Sequence, residues 1–312
     1  MFVIGTRGSA LALWQANAVK SALSAAFPKE EFEIRTVTTS GDRVLDKPLE
    51  QIGDKGLFTK ELEGALLAGD VDICVHSMKD VPSELVDGCC IAAMLARADV
   101  RDVLVCGPRI QAQSLAQVPA GARLGTGSLR RTAQLRALHP HIEPKPIRGN
   151  VDTRLAKAKG DEYEGIVLAA AGVERMNVSD AVSAFIPVEE MLPAAGQGAI
   201  GVEARVGDER VARMLACIDD AATSLCVNAE RRVLAMLEGG CQVPLGVYAR
   251  LEDDMLVIDA AVFSLDGTRQ VRTHVVESEC NAEAAADKAV RNIIADGGME
   301  ILDEVRGRGG AS

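Results

Sequence analysis

Arginine carries a planar fork of N–H donors that pairs two-handed with a carboxylate or phosphate, and residues 101–160 concentrate it. That stretch holds Arg101, Arg109, Arg123, Arg130, Arg131, Arg136, Lys145, Arg148, Arg154, Lys157 and Lys159 against Asp102, Glu143 and Asp152. Its local charge is +8 in a chain of formal net charge -11. Two readings follow: a grip on an anionic ligand, or a solvated basic face, which charge alone favours. Nucleic acid is a poor partner, because aromatic residues make up only 3% of the chain and the remainder is acidic. Two further groups could do chemistry. Asp80 ends the run Val75-His76-Ser77-Met78-Lys79-Asp80; on its own, such an Asp reads as a cap or strand-end turn before Pro82. Cys241 follows Gly239-Gly240; a lone thiol there reads as inert, since the partially negative end of the preceding helix does not lower its pKa.

The other cysteines offer less. Eight Cys and four His are scattered with no CxxC pair, so no zinc site is expected from spacing. In a reducing compartment each Cys reads by default as a small buried hydrophobe, and Cys89-Cys90 as part of a strand.

The elements that must position these groups repeat. Phe2–Ile4 reads as a strand, Gly5-Thr6-Arg7-Gly8-Ser9 as a loop, and Ala10–Ala26 as an amphipathic helix capped by Ser9, with Trp14 packed in the core. Arg123–Gly125, Thr126-Gly127-Ser128 and Leu129–Leu138 repeat that order. Both loops feed a helix N-terminus, where free N–H groups and the helix dipole favour an anion. A second pair of strands, Asp70–Val75 and Gly165–Ala170, ends in charged residues, Lys79-Asp80 and Glu174-Arg175. Open α/β sheets bind ligands outside the carboxyl ends of their strands, so two α/β domains facing across a cleft is the simplest architecture.

The 312 residues suit two or three domains, with 48% hydrophobic and 25% charged residues, the balance of a soluble globular chain. No apolar run reaches the ~18 residues of a membrane span, and the N-terminus lacks a secretory pattern; the expected location is cytoplasmic. Crossings between the domains are expected at Ala96–Asp102 and at the hinge Leu192–Gly198. Asp42–Phe58 is a long polar stretch of flap character. Past Thr223–Leu237, which reads as a helix, Val243–Arg250, Leu256–Phe263 and Gln270–Glu277 read as strands joined by hairpin turns, followed by an Asn281–Ile294 helix and a frayed Arg306–Ser312.

Five stretches resemble hydroxymethylbilane synthase (porphobilinogen deaminase) along essentially the whole chain. They are Thr6-Arg7-Gly8-Ser9 with Leu11-Ala12-Leu13-Trp14-Gln15, Val75-His76-Ser77-Met78-Lys79-Asp80-Val81-Pro82, and Gly125-Thr126-Gly127-Ser128-Leu129-Arg130-Arg131. The remaining two are Ile147-Arg148-Gly149-Asn150 with Thr153-Arg154-Leu155, and Glu238-Gly239-Gly240-Cys241-Gln242-Val243-Pro244. The resemblance implies an α/β fold of two periplasmic-binding-protein-like domains with a cleft and hinge, plus a small C-terminal α+β domain with an antiparallel sheet. Residues 1–98 with 199–217 would form the first domain, 99–198 the second and 218–312 the third. It implies a monomeric transferase that joins four porphobilinogen molecules head to tail, releases ammonia each time, and hydrolyses off linear hydroxymethylbilane. Chains would grow on a dipyrromethane cofactor held by a thioether at Cys241, with no metal, nucleic acid or membrane partner.

The resemblance also implies residue roles. Asp80 would stabilise the azafulvenium-like cation left by ammonia and help protonate the leaving amine. Two primer rings and four additions present about 12 carboxylates, each needing charge-assisted donors. Arg7, Arg130, Arg131, Arg148, Arg154 and Arg175 match positions that grip them, aided by Ser9, Thr126, Ser128 and Lys79. Lys55 and Phe58 match a mobile active-site loop, and Gln197 is a candidate to line the cleft. Gly8 and Gly127 stand where polar residues are common in the family, each removing a potential hydrogen bond. The competing readings are a non-catalytic two-lobed binding protein for an anionic metabolite, which needs neither Asp80 nor Cys241, and a regulator's effector domain, for which no basic helix-turn-helix is evident.

Overall fold

The computed structural model describes residues 1–43, 56, 58–237 and 243–309. Strands β1 (Phe2–Thr6), β2 (Phe32–Thr36), β3 (Ile73–Ser77) and β4 (Cys89–Met94) belong to one five-stranded sheet. Strands β5 (Asp102–Cys106), β6 (Arg123–Gly125), β7 (Glu143–Lys145), β8 (Gly165–Ala169) and β9 (Ala184–Ile186) form a second. The chain then returns to the first sheet as β10 (Ile200–Arg205). The orders are β2-β1-β3-β10-β4 and β7-β6-β8-β5-β9. In each, one strand runs antiparallel to its two neighbours, β10 in the first and β5 in the second. The repeat legible in the loops is thus a repeat of whole-sheet topology, with β1 matching β6 and β3 matching β8.

Alternation explains why both sheets can be covered on two faces. On β1, Phe2 and Ile4 enter one core with Ala16, Val19 and Leu23 of the Ala10–Ala26 helix. Val3 points the other way, with Leu62 and Leu66 of the Lys60–Ala68 helix. The second sheet divides likewise, Leu104 and Val167 on one side and Val103, Ile166 and Leu168 on the other. Gly69 ends the Lys60–Ala68 helix in the left-handed region at φ 79, where a side chain would be strained.

The last part is a three-stranded antiparallel meander, β11 (Leu245–Glu252), β12 (Met255–Phe263) and β13 (Gln270–Ser278), packed on the Ala221–Met236 and Ala282–Ala295 helices. Asp253, at φ 52, makes the expected first hairpin turn. Of the stretch expected to fray, Arg306–Gly309 is instead the end of the Gly298–Gly309 helix, whose Ile301 and Leu302 are buried and whose Arg306 donates to the Leu237 carbonyl at 2.7 Å, while residues 310–312 lie outside the described residues. Trp14 is likewise no core residue. It is 43% exposed, and the Arg175 guanidinium lies 5.6 Å from its ring centroid. Two of the cysteines, Cys217 and Cys280, are exposed rather than buried, while Cys89 and Cys90 do lie in a strand. Among the described residues no helix is long and apolar enough to cross a membrane.

Candidate active site

The carboxyl ends of β1 and β3 meet those of β6 and β8 across the space between the two sheets. Each β-to-helix loop ends in a serine cap. Ser9 Oγ accepts from the Ala12 N–H at 3.3 Å, and Ser128 Oγ from the Arg131 N–H at 3.4 Å. Each hydroxyl keeps its own hydrogen for a ligand acceptor. Thr126 is buried, and its Oγ1 accepts from the Ser128 N–H at 3.2 Å, which fixes the second loop. Arg7, in the first loop, stacks its guanidinium 4.1 Å above the Phe58 ring. Lys55 and Cys241 lie outside the described residues, as does most of the expected flap.

Beyond β3 the chain turns through Met78–Asp80, with Met78 buried and Asp80 exposed. Gln15, buried on the first helix, donates from Nε2 to Ser77 Oγ at 2.7 Å, tying that turn to the helix that follows the Arg7 loop. Lys79 keeps some solvent contact but is crowded by protein, and burial lowers its ammonium to about 8 despite the pull of Asp80. Arg131 and Arg130, from the opposite sheet, push it the same way as burial, so all three cations share one neighbourhood. Arg154 is similar: burial, then Arg131, lowers it to about 10, while Asp80 pulls it up. Its Nε donates to the Gly149 carbonyl at 2.7 Å, leaving the rest of its fork for a ligand. Asp80 is therefore the carboxylate that faces Lys79 from its own turn and Arg154 from the other lobe. Arg148 adds positive charge beside Arg154.

Arg130 and Arg131 are anchored from beneath. Arg130 donates to Asp102 Oδ2 at 2.8 Å and to the Leu192 carbonyl at 2.5 Å. Arg131 donates to Asp102 Oδ1 at 2.6 Å and to the Val167 carbonyl at 3.1 Å. The two guanidinium groups hold the buried Asp102 carboxyl far below the usual carboxylate range against the opposing effect of burial. The Nε of each Arg is buried without a partner among the described residues. Asp102 is the residue sequence reasoning missed. Its signal was present, since no other acid occurs between it and Glu143 while five arginines do.

Gln197 corrects another expectation. It does not line the cleft; it is 1% exposed, and its amide donates to Asp102 Oδ1 at 2.9 Å and to the Val100 carbonyl at 2.7 Å. Arg175 does reach the inter-lobe recess, which Leu11, Ser77, Lys79, Gly172 and Gly198 also line, and it donates to the Gly198 carbonyl at 2.6 Å. Much of the +8 segment is spent elsewhere: Arg101 on Asp99, Arg109 on Asp161 and Glu164, Arg123 on Glu164, and Lys145 on Glu143. The net count overstated the anion site. The cations that remain in the cleft are fewer and better placed.

The two glycine departures differ. A Cβ added at Gly8 meets nothing within 4 Å, whereas one at Gly127 would come 2.9 Å from the Ile147 carbonyl oxygen. Gly127 lets the second loop lie against the strand that leads to Arg148.

The site's donors, desolvated and gathered from two lobes, suit an acidic ligand. Comparison with known proteins narrows that class. Residues 2–213 match the family model described as "Porphobilinogen deaminase, dipyromethane cofactor binding domain", and residues 224–294 match "Porphobilinogen deaminase, C-terminal domain". The chain is 48% identical over 302 residues to a porphobilinogen deaminase of Bordetella parapertussis, covering 97% of this chain and 95% of that one. It is 48% identical over 307 residues to one from Moorella thermoacetica, covering 98% and 97%. Among solved structures, a distant likeness is the periplasmic aliphatic sulphonate binding protein of Escherichia coli, with TM-score 0.39 and 11% identity over 76% of this chain and 70% of that one. With two porphobilinogen deaminase family models laid in order along it and near-half identity to whole relatives, the chain belongs to the porphobilinogen deaminase family.

Proposed function

We propose that Asp80 is the catalytic carboxylate and Cys241 the attachment point of a hydroxymethylbilane synthase whose two-lobed cleft closes around a polyacid. The protein is a transferase that condenses porphobilinogen to hydroxymethylbilane with a dipyrromethane cofactor. When bound, the cofactor would supply the terminal pyrrole carbon that accepts the first ring, each later ring extending the chain from the one before it. Arg131, Arg148, Arg154, Arg175 and Lys79 hold the acetate and propionate groups, with Arg7, Ser9, Thr126 and Ser128 serving the two loops. Arg130 holds Asp102 and, through it, the orientation of Arg131. Phe58 covers Arg7. Gln197 braces the arginine pair from behind rather than touching ligand.

A single observation carries the reading. Asp80 is the exposed carboxylate within electrostatic reach of Lys79 and Arg154, and no protein donor holds it among the described residues. Loss of ammonia spreads positive charge onto a pyrrole N–H, and a carboxylate so placed stabilises that charge in turn after turn. The flanking cations bind the substrate's own acids. Residues 1–98 with 199–217, 99–198 and 218–312 are taken as the three domains, consistent with strand membership. The protein works as a cytoplasmic monomer in tetrapyrrole synthesis. The non-catalytic alternative loses its ground to the family match.

The test is ammonia release from porphobilinogen with the wild type and Asp80→Ala. The variant should lose about 10²- to 10⁴-fold in turnover, the span of a lost acid–base group, while keeping its bound pyrroles. An Asp80→Ala protein that turns over at the wild-type rate would remove Asp80 from the mechanism.

A further inference from the structure

Behind the catalytic turn, on the face of the first sheet roofed by the Lys60–Ala68 helix, sits a cluster that the reaction does not use. Residues two apart on a strand share a face, so Cys74 and His76 of β3 point the same way. The antiparallel register sets Glu203 of β10 directly opposite Cys74. The Cys74, His76 and Glu203 ligand atoms all lie within 4.8 Å of one another, and all three residues are buried. We propose that Cys74, His76 and Glu203 form a binding site for a zinc-class divalent transition-metal ion.

Thiolate, imidazole and carboxylate together are the donor set of a borderline-soft ion, which takes sulfur at about 2.3 Å and nitrogen or oxygen at about 2.0–2.2 Å. Charge and satisfaction both point to a cation. Glu203 is 0% exposed; one oxygen lies 2.8 Å from His76 Nε2, but Oε1 is buried with no donor among the described residues. Glu63, also buried, adds a second carboxyl to this face. Arg205 does not answer them, since it donates to the Leu66 and Val71 carbonyls and to Asp208. Cys89 packs with Cys74, Leu62 and Leu66 in the same apolar cluster. In the metal-free state Cys74 donates its S–H to the Leu62 carbonyl at 3.4 Å. On binding, that proton leaves to solvent and the sulfur electron pair goes to the metal. The ion would pin β3 to β10 beneath the strand that ends in Lys79 and Asp80, a structural clamp rather than a catalytic centre.

The experiment strips the purified holoenzyme with chelator and titrates it with Co²⁺ and then Zn²⁺. One equivalent of Co²⁺ should give thiolate-to-cobalt charge-transfer absorption, displaced by Zn²⁺. The band should vanish in Cys74→Ala and persist in the Cys217→Ser/Cys280→Ser double variant. X-ray absorption of the zinc-loaded wild type should show sulfur at about 2.3 Å, a readout that needs no variant to fold. Absence of the cobalt band in the wild type, an unchanged band in Cys74→Ala, or a zinc shell of light atoms alone would overturn the proposal.

Discussion

Lys79 and Asp80 are neighbours in sequence with opposite solvation. Asp80 is exposed at the cleft, whereas the Lys79 ammonium is crowded and lowered to about 8 from an ordinary 10.5. Between those values the unfolded chain holds more protons than the folded one, so stability rises with pH across that window. The full advantage is present above 10.5 and is lost as pH falls through about 8. Urea unfolding from pH 7.5 to 10.5 should show this rise, at most about 3 kcal/mol by linkage, and Lys79→Met should flatten it. An equal rise in the variant would place the titration elsewhere. The glycine pair gives a sharper contrast. Gly8→Ser should fold and melt like the wild type, because its Cβ enters open space; Gly127→Ser should lose about 1–3 kcal/mol from crowding against the Ile147 carbonyl. Matching melting temperatures for the two would contradict the account of that loop.

At the scale of elements, two strand–loop–helix units present Ser-capped N-termini to one cleft, and a buried carboxylate on β5 orders the arginines of the second unit. Asp102→Asn should cost about 3–5 kcal/mol, since it leaves two buried guanidinium groups short of a counter-charge. Chemical denaturation measures it, and a loss under 1 kcal/mol would mean that the pair is held by the Leu192 and Val167 carbonyls instead. These elements were legible to different degrees. Hydrophobic alternation and the Gly-Thr loops revealed β1, β6 and their helices, and the hairpin turns revealed β11 to β13. Contacts across long sequence separations were not legible. Gln197 reads as a candidate to line the cleft until the fold sets it beside Asp102, 95 positions away. Trp14 sits at core spacing on its helix, yet it faces Arg175 because the second lobe, not the first, covers that flank. Cys74, His76 and Glu203 have no common spacing; only the β3–β10 register unites them.

The whole molecule is tied together by charge at its hinge. Arg97, between β4 and β5, pairs with buried Glu230 of the Ala221–Met236 helix at 2.7 and 3.0 Å and donates to the Gln197 carbonyl at 2.9 Å. Glu230 also accepts from the Gly196 and Ala249 N–H groups at 2.7 and 2.8 Å. On the same helix Arg231 donates to the carbonyls of Val81, Pro82 and Ser83, just past Asp80. The Ala221–Met236 helix thus holds both the Gly196–Gln197 segment and the chain leaving the Met78–Asp80 turn. Intact-mass spectrometry of the purified protein tests the proposed attachment at Cys241 most directly. The wild type should be heavier than its sequence by two linked pyrroles and should gain discrete ring-sized steps with porphobilinogen, while Cys241→Ser should show the bare polypeptide mass. A bare wild type that still condenses porphobilinogen, or pyrroles retained on Cys241→Ser, would contradict the account.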